Sequence, residues 1–228
     1  MEQYKIFIIT ALLTTLALSQ SNAQTYHVTY TESIIIDTFA IKDLPKQIRD
    51  HKLQLAKIKK PYNLTYSKGI SIYSEIDKSD RPKYYFKNMS TNSMVFELYA
   101  GSEKLCGKDS LIEMNWEISN ETKDIAGYKS QKAISRWHNY LFTAWFTNEI
   151  PINAGPERFD GLPGLILRVE IGSTIFEFKD LVIREASFEI SPPQQSPPTM
   201  TIIEAHNYIM EQIPKYKNIG GGTLIRKP

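Results

Sequence analysis

Residues 155–166 read Gly-Pro-Glu-Arg-Phe-Asp-Gly-Leu-Pro-Gly-Leu-Ile, with three glycines and two prolines in twelve positions. Glycine permits left-handed backbone and close chain approach, while proline fixes φ and removes an amide donor. So dense a cluster selects one backbone path. The apolar run that continues through Leu167 and Val169 then reads as a buried strand. Gly161 and Gly164 are expected to set the turn, Pro163 to stiffen it, and Leu165 to anchor it in the core. Glu157, Arg158 and Asp160 are its ionisable side chains, so the segment specifies architecture more than chemistry.

The first residues carry a targeting pattern. Lys5 precedes an apolar run over 6–18, and Ser21-Asn22-Ala23 forms a small-x-small cleavage site. Cleavage between Ala23 and Gln24 is expected, with export to the periplasm, the outer-membrane surface or the medium. The run is shorter than the about 20 residues a membrane span needs. No later segment is long and apolar enough, so no transmembrane span is expected after cleavage.

About 205 residues then remain, a length that suits one domain with a proper core. Lys+Arg 27 against Asp+Glu 25 argues against nucleic acid as a partner. Cys106 is the one cysteine and has no internal disulfide partner; burial is expected for it.

Periodicity predicts a mainly β (α+β) fold: a curved antiparallel sheet or unclosed barrel over 24–190, with an inserted helix and a C-terminal helix. Strand patterns run over 26–36, 62–73, 83–89, 94–99 and 111–118. A hairpin is expected from 124–133 and 137–147, with Ser135 and Arg136 near its turn. A second pair, 165–170 and 174–178, surrounds Gly172, and 181–190 reads as the last strand. The inserted helix is expected at about 44–59, ahead of Pro61. Residues 191–198, Ser-Pro-Pro-Gln-Gln-Ser-Pro-Pro, read as a stiff linker. A helix over 199–214 follows, with Thr201 and Glu204 in capping-box spacing and Ile202, Ala205, Ile209 and Ile213 on one face. A flexible basic tail is expected over 215–228.

Chemistry-bearing motifs are sparse. His27, His51, His138 and His206 fall on four different predicted elements, without metal-ligand spacing. No nucleophile elbow, phosphate-cradling loop or dinucleotide fingerprint occurs, and no cofactor or metal is expected. Glu149, Glu157, Asp160 and Glu170 flank the glycine–proline segment. They read either as a carboxylate group for hydrolysis or as solvated loop charges, with Asp160 capping the Gly161 turn. Trp116, Trp137, Tyr140, Phe142, Trp145 and Phe146 lie on strands expected to be neighbours. Alternation puts Trp137, Trp145 and Thr147 on one face and Tyr140, Phe142 and Phe146 on the other. These aromatics read as core packing or as a groove for an apolar ligand.

The stretch 116–170 resembles the GLPGLI family of secreted Bacteroidetes proteins, named for the hexapeptide seen here as Gly161-Leu162-Pro163-Gly164-Leu165-Ile166. Thr122 to Lys129 with Lys132-Ala133 is similar to the family's upstream block. Ala144-Trp145-Phe146-Thr147 and Glu149-Ile150-Pro151-Ile152 are similar to its middle block, and Gly155, Pro156 and Phe159 lead into the hexapeptide. Members often carry a cysteine where this chain has Ser130. The family has no established activity, so the resemblance implies compartment and fold rather than a catalytic residue. A looser likeness to periplasmic lipoprotein carriers implies an unclosed barrel around helices with an apolar cavity. Asp109-Ser110-Leu111 is similar to the short signal for O-glycosylation of exported Bacteroidetes proteins, at Ser110.

Three functions are therefore expected in this order. The first is a non-enzymatic cell-envelope module that binds a lipid, a peptide or another apolar ligand, or an outer-membrane partner. The second is an envelope hydrolase using Glu149, Glu157 and Asp160. The third is a docking module for an outer-membrane receptor, working through the C-terminal helix or the tail.

Overall fold

The structure, a computed structural model, describes residues 24–76, 83–137, 140–186, 189–192 and 200–217, of which 213–217 by backbone alone. The targeting segment, most of the expected linker and the tail from 218 onward lie outside the described residues.

Eleven strands form one sheet. They are β1 (Thr25–Ile34), β2 (Lys60–Ser67), β3 (Ile70–Glu75), β4 (Tyr84–Asn88), β5 (Ser93–Ala100) and β6 (Glu103–Asp109), then β7 (Glu117–Ile125), β8 (Tyr128–Trp137), β9 (Tyr140–Thr147), β10 (Leu165–Ile171) and β11 (Thr174–Arg184). Helix α1 (Lys46–Leu55) lies between β1 and β2, and α2 (Ile202–Lys217) follows the sheet. The order is β6-β5-β4-β3-β2-β1-β11-β10-β9-β8-β7, with every pair antiparallel. This is the mainly β, unclosed antiparallel fold that the periodicity predicts.

The sheet stays open, with β6 and β7 as edges that do not pair with each other, and parity sets how the chain passes between them. Eleven strands that alternate in direction leave two edges, β6 and β7, running the same way. The chain leaving β6 must therefore return the full length of the sheet before β7 can begin. Residues 110–116 make that return, and seven extended residues span about 23 Å, the length of a seven-residue strand. Their apolar, strand-like pattern is genuine, but they have no ladder partner and are not a strand. The strand expected over 111–118 is corrected to this crossing, with β7 starting at Glu117.

Other differences arise at two-residue turns. The run expected as one strand over 62–73 is two, split at Lys68 and Gly69, which both take positive φ (49° and 77°) as a tight hairpin turn requires. Ala126 and Gly127 do the same between β7 and β8 (51° and 87°), dividing the segment expected over 124–133. Ser135 and Arg136, expected near the next turn, instead lie within the β8–β9 ladder, which continues to Trp137 opposite Tyr140. Strand β6 was not expected at all, and the runs 174–178 and 181–190 merge into β11, which ends at Arg184.

The concave face holds the core. Val28, Tyr30, Leu64, Phe96, Phe142, Phe146, Val169 and Phe176 are buried there, each contributing about 1.5–3 kcal/mol relative to exposure. Helix α2 covers the opening beside β5 and β6. Its N-terminus is the expected capping box: Thr201 N donates to Glu204 Oε2 (2.7 Å), and Glu204 N donates to Thr201 Oγ1 (3.2 Å). Ile202 and Ala205 are buried against the core. The chain ahead of the helix lies directly on β6, where Met200 N donates to Cys106 O (3.1 Å). That approach needs Gly107, because a Cβ there would sit 1.9 Å from Met200 O and 2.5 Å from the Phe96 ring.

Gly107→Ala is accordingly expected to lower stability by about 1–3 kcal/mol and to release α2 first. Urea unfolding reads the first effect. Faster proteolytic cleavage ahead of residue 200, at a protease level that spares the sheet, reads the second.

Candidate functional site

Following β9, the 155–166 segment turns into the interior of the curved sheet. Phe159 and Leu162 are buried in the core, with the Phe159 ring 5.3 Å from Phe142 and 6.4 Å from Phe176. Three side chains from distant parts of the chain hold its carbonyls. Lys87 Nζ donates to Phe159 O (3.1 Å), Trp116 Nε1 to Asp160 O (2.7 Å) and Tyr30 OH to Ile166 O (2.6 Å). Asn153 Oδ1 accepts from Gly161 N (2.6 Å). Gly164 has φ +156°, and a Cβ there would lie 2.0 Å from Thr147 O, so the turn requires glycine. The rigid connection expected from the sequence is thus also the plug of the sheet.

Charge is buried with the plug. Lys87, fully buried on β4, lies 3.1 Å from Asp160 Oδ2, although four strands separate β4 from β10 in the sheet. Glu157, held at φ 49°, accepts from Lys83 Nζ (2.6 Å) and Arg158 Nη1 (3.1 Å), and Lys83 also reaches Glu32 Oε2 (3.0 Å). Burial opposes the charge on Glu157, but Lys83 and Arg158 outweigh it and hold the carboxyl below its ordinary value. Burial likewise opposes the charge on Lys83, and Glu157 with Glu32 overcomes it, holding the ammonium well above the ordinary lysine value. The Arg158 guanidinium lies 5.1 Å from the Phe159 ring centre and 5.4 Å from that of Trp137.

The four flanking carboxylates do not converge. Glu149 accepts from Lys129 N (2.9 Å) in an exposed position, and Glu170 pairs with Arg168 (2.8 Å). Glu157 is not a solvated loop charge and Asp160 is not merely a turn cap: both are buried and ion-paired. The sequence hides this because each lysine lies far along the chain from its partner.

Nor do the six aromatics form one groove. Phe142 and Phe146 are core residues, and Trp116 pins the plug. Trp145 faces outward beneath Lys123, whose Nζ is 3.8 Å from the ring centre. Cross-strand register pairs Trp137 with Tyr140, so Trp137 shares the inner face of Tyr140 and Phe142, and its expected placement with Trp145 is corrected. Trp137 and Tyr140 instead pack edge-on to His206 of α2, at 5.2 and 5.3 Å. Of the other histidines, His51 is exposed and His27 has its pKa lowered by burial and then by Arg184; His138 lies outside the described residues. Cys106 is buried, as expected. Among the described residues no three His, Cys, Asp or Glu side chains gather as metal ligands.

A pocket of 640 Å³ opens at the seam, between the 110–116 crossing and the first turn of α2. Leu111, Ile112, Trp137, Ile202 and Ile203 supply its apolar walls, with Asp109 and Glu113 on its polar side. Asp109 Oδ2 accepts from Ile202 N (3.0 Å), which fixes the helix start against the crossing. Ser110 is exposed and also lines the pocket. The sequence reading missed this site. The sequence singles out two of its lining residues separately, Trp137 as part of an apolar groove and Ser110 as a modification signal, and its further signal is the apolar crossing Leu111-Ile112.

Residues 137–168, from the end of β8 through the whole plug, match the family model described as a protein of unknown function (Porph_ging). No curated protein sequence matches the chain. Among solved structures, PNGF-II in its C2 crystal form is similar in fold, with a TM-score of 0.56 and 17% identity over 83% of this chain and 33% of that one. Its P21 form gives 0.54 and 18% over 83% and 34%. The chain therefore spans about a third of the PNGF-II chain. The Pseudomonas aeruginosa MucA/MucB complex overlaps at a TM-score of 0.38 and 8% identity, over 73% and 54%.

Two outcomes follow from the plug. Lys87→Met leaves Asp160 buried without its counter-charge, an expected loss of about 3–5 kcal/mol, part of which Asp160→Asn restores in the double variant. Urea unfolding of the four-member cycle measures it, and a double variant that loses the sum of the two single losses would show that the two residues are uncoupled.

Stability should also fall on both sides of neutrality. Glu157 contributes fully above its unfolded value near 4.5 and loses that contribution as pH falls through its lower folded value. Lys83 contributes fully below its unfolded value near 10.5 and loses that contribution as pH rises through its higher folded value. Burial raises Tyr62 and Tyr85 above the ordinary tyrosine value, which adds to the alkaline loss. Unfolding free energy measured across pH is expected to be flat from about pH 7.5 to about pH 9. It should begin to fall as pH drops through the unfolded histidine value near 6.5, because His27 is held below it, and fall further at acid pH, where Glu157→Gln should make the limb shallower.

Proposed function

We propose that this chain is a member of the GLPGLI family of secreted Bacteroidetes proteins and acts as an exported, non-enzymatic binding module of the cell envelope. Its seam pocket would hold an apolar ligand, or the apolar segment of an outer-membrane partner. The pocket between the 110–116 crossing and α2 supports this reading most strongly. Ile203 remains 42% exposed there, beside Asn92, Asp109, Ser110 and Glu113, so this open, mixed lining pairs an apolar wall with groups able to orient a ligand.

The interior of the sheet does not compete for this role, since Phe159, Leu162 and their ion-paired neighbours fill it. The hexapeptide Gly161–Ile166, inside the matched stretch 137–168, supports membership. Strand β1 starts at Thr25, two residues beyond Ala23, which suits removal of the preceding segment. An unclosed sheet with a helix in its opening also suits the likeness to lipoprotein carriers. The hydrolase alternative is weakened because its carboxylates are ion-paired: Glu157 and Glu32 share Lys83, and Asp160 pairs with Lys87. Glu157, held ionised by Lys83 and Arg158, is also a poor proton donor at neutral pH.

Protein purified natively from a periplasmic extract should release an apolar molecule on solvent extraction, detected by mass spectrometry. A medium-chain fatty acid or an apolar peptide should change its tryptophan fluorescence on titration. Ile203→Glu is expected to weaken that titration at least tenfold while leaving the melting temperature in place. No retained molecule and no titration with the unaltered protein would remove the reading.

A further inference from the structure

Between β1 and β2 the chain leaves the sheet at Ile34 and returns at Lys60, which pairs opposite Glu32. The excursion 35–59 therefore projects from one end of the sheet. Because β1 is the middle strand of eleven, the excursion lies across the sheet from the β6–β7 seam. Among the described residues twelve large apolar side chains are exposed, and seven of them belong to this end: Ile34, Ile35, Phe39, Ile48, Leu55, Ile58 and, at the end of β3, Ile76. Scattered singly such residues mean little; gathered at one end they mark a contact surface.

The local structure presents them rather than leaving them loose. Asp37 Oδ1 accepts from Phe39 N (2.9 Å) and Ala40 N (3.3 Å), and buried Ile41 anchors the turn, so Phe39 stands 74% exposed on an ordered loop. In α1 no residue is buried, and Ile48 and Leu55, seven residues apart on one face, are both exposed. The more covered positions are Arg49, Lys52 and Leu53. The helix thus presents Ile48 and Leu55, each 38% exposed, among the exposed polar side chains Lys46, Gln47, Asp50, His51 and Gln54.

Charge identifies what covers it. From 35 to 60 the chain has seven lysine or arginine residues against three aspartates, an excess of four positive charges in a protein whose net charge is +2. Lys42 Nζ sits 4.0 Å from the Phe39 ring centre, so cation and apolar group are presented together. A short helix with outward apolar side chains among lysines is the form that lies in a membrane interface, apolar groups in the acyl boundary and ammonium groups on anionic headgroups. No helix among the described residues is long and apolar enough to cross a membrane, so such attachment would be peripheral. We infer that the 35–59 excursion is a docking surface for an anionic lipid membrane. The inference stands apart from the seam pocket, on the opposite side of the sheet.

The test is co-sedimentation of the exported protein with vesicles of phosphatidylcholine alone or with phosphatidylglycerol added. Partitioning at least tenfold greater onto the anionic vesicles is expected, weakening as salt rises. Phe39→Ser with Ile58→Ser should lower it at least tenfold, and Lys46→Glu with Lys57→Glu should abolish the anionic preference. All four side chains are exposed, so melting temperatures should not move. Equal binding to neutral vesicles, binding that survives both double variants, or capture of an acidic protein without any vesicle binding would each overturn the inference. Ligand titration at the seam should be unaffected by these variants, which keeps the two readings separable.

Discussion

The parity of the sheet constrains everything else in this protein. Two edges that run in the same direction cannot be joined by a hairpin, so the chain must cross back from β6 to β7 through residues 110–116, and the two edges do not pair with each other. A sheet left open exposes its concave face, and the concave face is where the aromatic side chains are. The structure answers with three fillers: the 110–116 crossing, the α2 helix and the 155–166 plug. Helix α2, 16 residues and so about 24 Å long, lies against β5 and β6.

The plug explains why glycine and proline are so dense in one stretch. A loop entering a packed interior brings unpaired carbonyls with it, and each must meet a donor. Lys87, Trp116 and Tyr30 supply those donors from three separate regions. Buried ions are a costly way to fix a loop, since desolvation offsets most of their attraction. In return the loop gains one position: Lys87 reaches both Phe159 O and Asp160, and a shift in register would strand a charge in the core.

Local features were legible in the sequence, and those that depend on distant partners were not. The Thr201–Glu204 capping box, the hairpin around Gly172 and the burial of Cys106 depend on neighbours or on residue type, and all three are present. The Lys68–Gly69 turn was hidden because apolar residues continue on both sides without a break in pattern. In β4 the residues Tyr84, Tyr85, Phe86 and Lys87 are all buried, so no alternation marks which face is inner. Tyr84 and Phe86 pack outside, against Ile190 and Val95. A lysine on a strand ordinarily signals solvent; only Asp160, brought across the interior, shows that Lys87 points inward. The seam pocket was illegible for a related reason, since its walls come from elements whose adjacency follows from strand count rather than from any motif.

The pairing of β1 with β11 has a consequence in time. The middle strand and one neighbour, β1 and β11, are the first and last strands in the chain, while every other pair is a sequential neighbour. Two half-sheets can form by local hairpins, but nothing joins them until residues 174–184 have been made and have found β1. Long-range closure of this kind slows folding. It also means that a chain still emerging from synthesis has no complete core to bury. Such a chain can hold its hairpins but not the packed interior between its two halves, so the fold is completed late, when β11 reaches β1.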